Sequence, residues 1–333
     1  MPCRSSAAIT DGGENMKRLL LAVVLGSAAM AGHAQDYPSR AINITVPNPP
    51  GGMNQIHAQP LSAVIEKLTS QPAPVVNRSG GTAAVGTVYV ANQPADGHNI
   101  LVTTPNLYLV IEKDKVYGVK SPYSLDQIAP IALLSADPLT MVVHPSLPVK
   151  NVKELVALAK KHSGDMIFSS SGPYGITHTP MAMFIDAAGI KMRHLPTTGG
   201  GPAITQALGG HAQVTASGPA AVYPHVKSGK LRALANWGVK PHPALPDVKP
   251  LKDLGYDVEA YLWVGLFTAA KTPEPTMIKV RELIRKAASD PLFKQSLEKV
   301  QVVPDYRDAP EFKQFFDADY KRMAAVVKKM GKI

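Results

Sequence analysis

Between Ile42 and Ala235, short β-branched runs alternate with longer amphipathic stretches, and that alternation restricts the chain to a layered α/β architecture with mainly parallel strands. The run Ile42–Val46 reads as a strand and Asn54–Leu68 as a helix. Val75-Val76, Asn99–Thr103, Thr140–His144, Met166–Ser169, Met192–Leu195, Gln213–Ala216 and Leu231–Ala235 follow as strands. Between them, Thr82–Ala91, Val152–Lys161, Ile176–Ala188, Ala203–Leu208 and Ala220–Val226 carry helical spacing. Glu112–Tyr123 reads as a charged, irregular excursion, and Lys240–Pro250 as a Pro- and Lys-rich surface loop. A strand at Tyr261–Thr268 leads into a mostly helical tail, Pro275–Met330. There Phe312, Phe315, Phe316, Tyr320, Met323 and Val327 recur as a packing face.

Chemistry concentrates where strands run into helices. In Val46-Pro47-Asn48-Pro49-Pro50-Gly51-Gly52-Met53-Asn54-Gln55, prolines stop the strand and glycines permit a sharp turn. The first amides of the following helix then point into the loop at the positive end of the helix dipole, a cradle for an anion. The same segment also reads as an ordinary strand-to-helix connection. Ser169–His178, Thr197–Ala203 and Arg78–Thr82 share its pattern of strand end, small residues and helix. Ligands of open α/β sheets sit beyond the carboxyl ends of strands, where such loops converge. Helix capping by Ser and Thr explains any one of the loops, whereas their repetition points to a carboxylate or phosphate site.

Enzyme chemistry finds little support, and we read the chain as no enzyme. There is no G-x-S-x-G, H-E-x-x-H, Walker lysine or G-x-G-x-x-G motif, and the histidines do not fall at metal-ligand spacing. His178 reads as structural, and Asp165 and Asp186 as solvated acids. Hydrolysis through Ser171 or Ser217 stays formally open without a supporting context. No catalytic residue, metal or cofactor is therefore assigned.

The N-terminus reads as a cleavable secretory signal. Met16-Lys17-Arg18 supplies its positive region, Leu19–Met30 its apolar core, and Gly32-His33-Ala34 the small residues for cleavage after Ala34. Met16 is an alternative start, since Met1–Asn15 lacks this character. The single cysteine, Cys3, lies upstream of the cut, so the mature chain carries neither a disulfide nor a lipid-bearing thiol. The expected location is the periplasm. A formal charge of +10 is scattered without an aromatic-interleaved basic stripe. That argues against nucleic acid and for diffuse steering of anionic small molecules.

Taken in order, further landmarks carry a resemblance over essentially the whole mature chain. Among them are Tyr37-Pro38-Ser39-Arg40, Asn77-Arg78-Ser79-Gly80, Pro94-Ala95-Asp96-Gly97-His98 and Ala129–Leu134. Val152-Lys153-Glu154-Leu155, Gly199–Ala203, Ser228–Ala235 and Pro243–Val248 complete the set. The chain resembles the substrate-binding proteins of tripartite tricarboxylate transporters, the Bug family of periplasmic solute receptors. The resemblance implies a two-lobed periplasmic-binding-protein fold (type II-like) with two mixed sheets flanked by helices and a ligand cleft between the lobes. One lobe would comprise 36–137 and 260–333, the other 138–259, after the leader at 1–34.

It also implies a carboxylate held by backbone amides and hydroxyls. Carried over by position, the ligand-binding residues are Asn48, Gly51, Gly52, Met53, Asn54 and Gln55 on one lobe. On the other they are Ser170, Ser171, Gly172, Tyr174, Thr198, Gly199 and Gly200, with Thr104 and Ser217 added at strand ends. Met53-Asn54-Gln55 stands where the family carries Gly-Thr-Asp, which removes an acid suited to an amino group. Met53 and Tyr174 together would accept an apolar or aromatic body on the ligand, such as a terephthalate-like dicarboxylate. The expected partners are that small carboxylate and, transiently, membrane transporter subunits, with the receptor a monomer. A sensor partner in place of a transporter would use the same pocket.

Overall fold

The computed structural model describes Met1 and residues 37–333, so the signal-peptide expectation lies outside the described residues. Every element considered below lies within Arg40–Ile333. Its first strands are β1 (Asn43–Val46), β2 (Val75–Asn77) and β3 (Asn99–Thr103). β1 lies between β2 and β3 and runs parallel to both. Helices α1 (Met53–Thr69) and α2 (Ala84–Ala91) make the two crossovers. β3 is buried throughout and β1 from Ile44 to Val46, as expected of strands flanked by helices, whereas β2 at the sheet edge is half-buried.

After α3 (Asn106–Tyr117) the chain enters β4 (Ile128–Pro138), whose final residues lead almost directly into β5 (Thr140–Val143) of a second sheet. That sheet collects β6 (Ile167–Ser170), β7 (Arg193–Pro196), β8 (Val214–Ser217) and β9 (Arg232–Asn236) in the order β7-β6-β8-β5-β9. Between these strands lie α4 (Val152–Lys161), α5 (Thr179–Ala188), α6 (Gly200–Leu208) and α7 (Pro219–Lys227). The chain returns through β10 (Tyr261–Ala269), then α8 (Glu274–Ser289), α9 (Pro291–Lys299), β11 (Pro304–Asp308) and α10 (Ala309–Met330). The first sheet thereby has the order β11-β4-β10-β3-β1-β2.

The molecule is two-lobed, and the chain changes sheet twice, between Pro138 and Thr140 and between Asn236 and Tyr261. The Trp237 amide donates to the Leu139 carbonyl at 3.0 Å and the Ala260 amide to the Trp237 carbonyl at 3.0 Å, which ties the two passages together. The sheets are mixed, as the resemblance implied and contrary to the mainly parallel expectation. β10 is antiparallel to β3 and β4, β11 to β4, and β5 to both β8 and β9. The cause is that β4 and β10 lead from one lobe to the other and back, so they pair in opposite directions.

One other expectation differs from the structure, and the mostly helical tail gains one strand. Glu112–Tyr117 is the second half of α3. Its buried Glu112 accepts from Tyr320 Oη at 2.6 Å and from Lys115 Nζ at 2.7 Å, so tertiary partners satisfy charges that read as a loop. The tail is interrupted by β11, a charged edge strand whose Arg307 pairs with Asp305. Within α10 the expected face does pack: Phe312, Phe316, Met323 and Val327 are buried, and Phe312 and Phe316 meet Trp263 and Phe267 edge-on. Inside that cluster the Asp319 carboxylate accepts from Tyr108 Oη at 2.6 Å and Trp263 Nε1 at 2.8 Å, and it also pairs with Arg322. The second lobe has a separate core of Val142, Ile204, Ala207, Val222 and Leu231.

Candidate functional site

The strand-to-helix loops meet between the two sheets. On the first lobe, Gly51 takes φ +90°, a left-handed conformation suited to glycine, and Gly52 caps α1 with no side-chain bond. Among the described residues, the opening amides of α1 thus receive no side-chain cap. Asn54 Nδ2 donates to Asn48 Oδ1 at 2.7 Å, while Asn54 Oδ1 is buried without a partner. Beneath them His57 joins the Met53 carbonyl at 2.9 Å to Ser135 Oγ at 2.8 Å. Burial pushes the His57 pKa down, so the imidazole supports α1 as a neutral group.

On the second lobe, residues 171–178 spend their polar groups largely on bonds within the loop, and α5 begins at Thr179 and not at Ile176 as expected. The Ser171 amide donates to Thr177 Oγ1 at 2.7 Å, and that hydroxyl donates to Ser171 Oγ at 3.0 Å. With its oxygen already accepting, the Ser171 hydroxyl keeps its own proton for another acceptor. The Ile176 amide reaches across to Asn106 Oδ1 at 2.7 Å. Gly201, in the first turn of α6, lies so near the first lobe that an added Cβ would be 2.6 Å from the Pro50 carbonyl oxygen. An added Cβ on Gly218 would lie 2.8 Å from Met53 Sδ, so that side chain lies across the cleft against the backbone after β8.

These loops enclose a cavity of about 30 Å³, walled by polar and apolar groups from both lobes with no charged side chain. Asn48, Gly52, Met53, Asn54, Thr104, Ser171, Gly200 and Ser217, all expected from the sequence, line it. Pro49, Asn106, Ile176, Thr177 and Leu262 line it as well and were not singled out. Pro49, Ile176 and Thr177 fall inside loops whose pattern was recognised, and Asn106 stands two residues beyond Thr104. Leu262 carries no local signal, because β10 brings it from far along the chain.

The other expected residues stand outside the lining. Gly51 faces Gly201 across the lobes, and Gly199 rests on Pro49. Gln55 Oε1 accepts from Asn77 Nδ2 at 3.1 Å, and Thr198 is exposed. Ser170 Oγ is engaged with His194 Nε2 at 2.6 Å, and Gly172, at φ +123°, backs onto Thr82. Tyr174 is turned away: its ring meets Tyr117 and His178 edge-on and its hydroxyl donates to the Gly331 carbonyl at 2.6 Å. The ring wall expected from Tyr174 is therefore not part of the cavity.

A larger cavity of about 640 Å³ is walled by Phe168, His178, Met183, His194, Val258 and Met330 among others. Phe168, His178 and His194 stack there. Burial, with the neighbouring His194, lowers the His178 pKa to about 3, and burial lowers that of His194 to about 4. Its walls are mostly apolar, with Asp186, Asp257 and Lys329 among them, and lack the convergent hydroxyls of the smaller cavity. Among the described residues no cluster of His, Cys, Asp and Glu could hold a metal ion, and no helix is long and apolar enough to cross a membrane.

Comparison with known proteins adds an independent finding. The profile of the tripartite tricarboxylate transporter family receptor matches residues 58–332. Protein BugT of Bordetella pertussis is 27% identical over 95% of this chain and 98% of its own length. A solved periplasmic transporter is 28% identical and superposes with a TM-score of 0.82 over 88% of this chain and 98% of that one. An R. palustris protein solved with adipate shares the fold at 20% identity and a TM-score of 0.80, covering 88% of this chain and 98% of its own.

Proposed function

The chain belongs to the tripartite tricarboxylate transporter family of receptors, a family of solute receptors and not of enzymes, and on that premise we propose that it captures a small organic carboxylate between its lobes in the periplasm and delivers it to a membrane transporter. The observation that carries this reading is the joint wall of the small cavity. The start of α1, whose N-cap Gly52 offers no side chain, stands on one side, and the Ser171–Thr177 hydroxyl pair on the other. An anion is held there by dipoles and hydrogen bonds, with no cationic side chain needed. The adipate-bound relative shares the fold alone at its level of identity, so the ligand class rests on the chemistry of these walls.

A cavity of about 30 Å³ has room for one or two water molecules. The solute therefore enters with the lobes apart, and closure rebuilds the walls around it. Ligand favours the closed form by the contacts that only this form supplies. The proposed binding residues are Asn48, Gly52, Asn54, Thr104, Ser171, Thr177 and Ser217, with Met53 as the apolar wall. Calorimetry and thermal shift over mono-, di- and tricarboxylates and amino acids test the reading. Stabilisation by plain carboxylates is expected, and stabilisation by amino acids alone would defeat it.

A further inference from the structure

Tyr174 adopts φ +56°, a backbone conformation that is an outlier for a bulky aromatic residue, and it is almost wholly buried. Such strain persists only where surrounding contacts enforce it. Here four hydrogen bonds do so. The Tyr174 amide donates to His178 Nδ1 at 2.9 Å, and its carbonyl accepts from Thr179 Oγ1 at 3.0 Å. Its hydroxyl donates to the Gly331 carbonyl at 2.6 Å and accepts from the Ile333 amide at 3.1 Å. The first two bonds are local to the 171–178 loop of the second lobe. The last two reach the segment that follows α10, which packs on α3 and β4 of the first lobe. Tyr117 Oη donates to the Ile333 carbonyl at 2.8 Å, and Lys329 pairs with Asp186 of α5 at 2.9 Å.

We propose that Tyr174 is a positioning residue that clasps the two lobes together through Gly331 and Ile333, and so sets how readily the cleft closes without touching the solute. The inference rests on the carboxylate-capture reading above for its purpose, though not for its geometry. The same loop supplies Ser171 and Thr177 to the cavity, and its Ile176 amide is bonded to Asn106 of the first lobe. Any opening that parts Gly201 from Pro50 draws this loop away from the first lobe, and the Tyr174 hydroxyl must leave its two partners. The clasp thereby joins residues 331–333 to the solute-binding loop.

The test uses spin labels on Lys153→Cys and Lys294→Cys, exposed positions on the second and first lobes, in a Cys3→Ser background of the full chain. Pulsed dipolar spectroscopy of the ligand-free protein reads the interlobe distance. Tyr174→Phe keeps the ring and deletes the hydroxyl, and it should move population toward longer distances. Deleting 331–333 should do the same, and combining both changes should add nothing further. Adipate affinity in Tyr174→Phe should fall about two- to tenfold, the effect of one net hydrogen bond. An unchanged distance distribution in Tyr174→Phe, or a deletion without effect, overturns the clasp. Failure of the wild type to bind adipate leaves the distance measurement intact, so the two readings fail separately.

Discussion

Gly200 and Gly201 are adjacent in the first turn of α6, yet only one of them closes against the other lobe. A methyl group on Gly201 would lie 2.6 Å from the Pro50 carbonyl oxygen and 3.1 Å from the Gly51 carbonyl carbon, whereas one on Gly200 meets nothing within 4 Å. The obstructing atoms are backbone, so no rotamer change relieves the contact. Restoring an ordinary separation of 3.4 Å requires the lobes to part locally by the 0.8 Å difference from 2.6 Å. Overpacking of this kind costs about 1–3 kcal/mol, and the cost falls on the closed form alone. If the ligand-free receptor is mostly open, Gly201→Ala raises Kd by about 5- to 150-fold. Folding should not suffer, because alanine is favoured over glycine in a helix by up to about 1 kcal/mol. Isothermal titration with the best-bound acid, beside a thermal melt of each variant, decides the matter. Gly201→Ala should lose affinity at an unchanged or raised Tm, and Gly200→Ala should retain affinity. Wild-type affinity in Gly201→Ala, or an equal loss in both variants, would refute closure through this contact.

Three further outcomes follow from other parts of the molecule. Ser171→Ala removes a hydroxyl whose own proton is free, and binding should weaken by about 1–3 kcal/mol; wild-type affinity by calorimetry would remove Ser171 from the site. Asp319→Ala strands the buried Tyr108 hydroxyl and Trp263 N–H and should lower stability by about 3 kcal/mol or more in urea unfolding; a shift in midpoint under a third of that would show the carboxylate to be dispensable. His178 and His194 have folded pKa values of about 3 and 4, below the ordinary value of 6.5, so the unfolded chain binds protons first as pH falls. Stability from these two groups is complete above about pH 6.5 and declines toward pH 4, so the urea midpoint should drop between about pH 7.5 and pH 5. Imidazole resonances of either residue titrating near the ordinary value would contradict the burial assigned to them.

Much of this fold is legible in local sequence because the β-branched runs and helical periodicities are short-range signals. Asn99–Thr103 and Val152–Lys161 appear with the very bounds expected. Strand direction is not a local property, and the mainly parallel expectation failed where β4 and β10 run between the lobes. No part of α3 was read as helix, and the charges that made its second half look irregular, Glu112 and Lys115, find hydrogen bonds on Tyr320. In the site, the strand-to-helix loops were recognisable from their glycines, prolines and hydroxyls. The direction of a side chain leaving such a loop was not. Tyr174 lies in the recognised segment, yet its left-handed backbone turns it toward Gly331, while Leu262 enters the lining through long-range packing.

The most direct examination of the account is a crystal structure with whichever acid gives the greatest thermal stabilisation. The account predicts a carboxylate between the lobes, accepting from amides at the start of α1 and from the Ser171 hydroxyl, with Met53 against its carbon chain. An acid found instead in the larger cavity beside His178 and Met330, with the Ser171–Thr177 pair untouched, would contradict it.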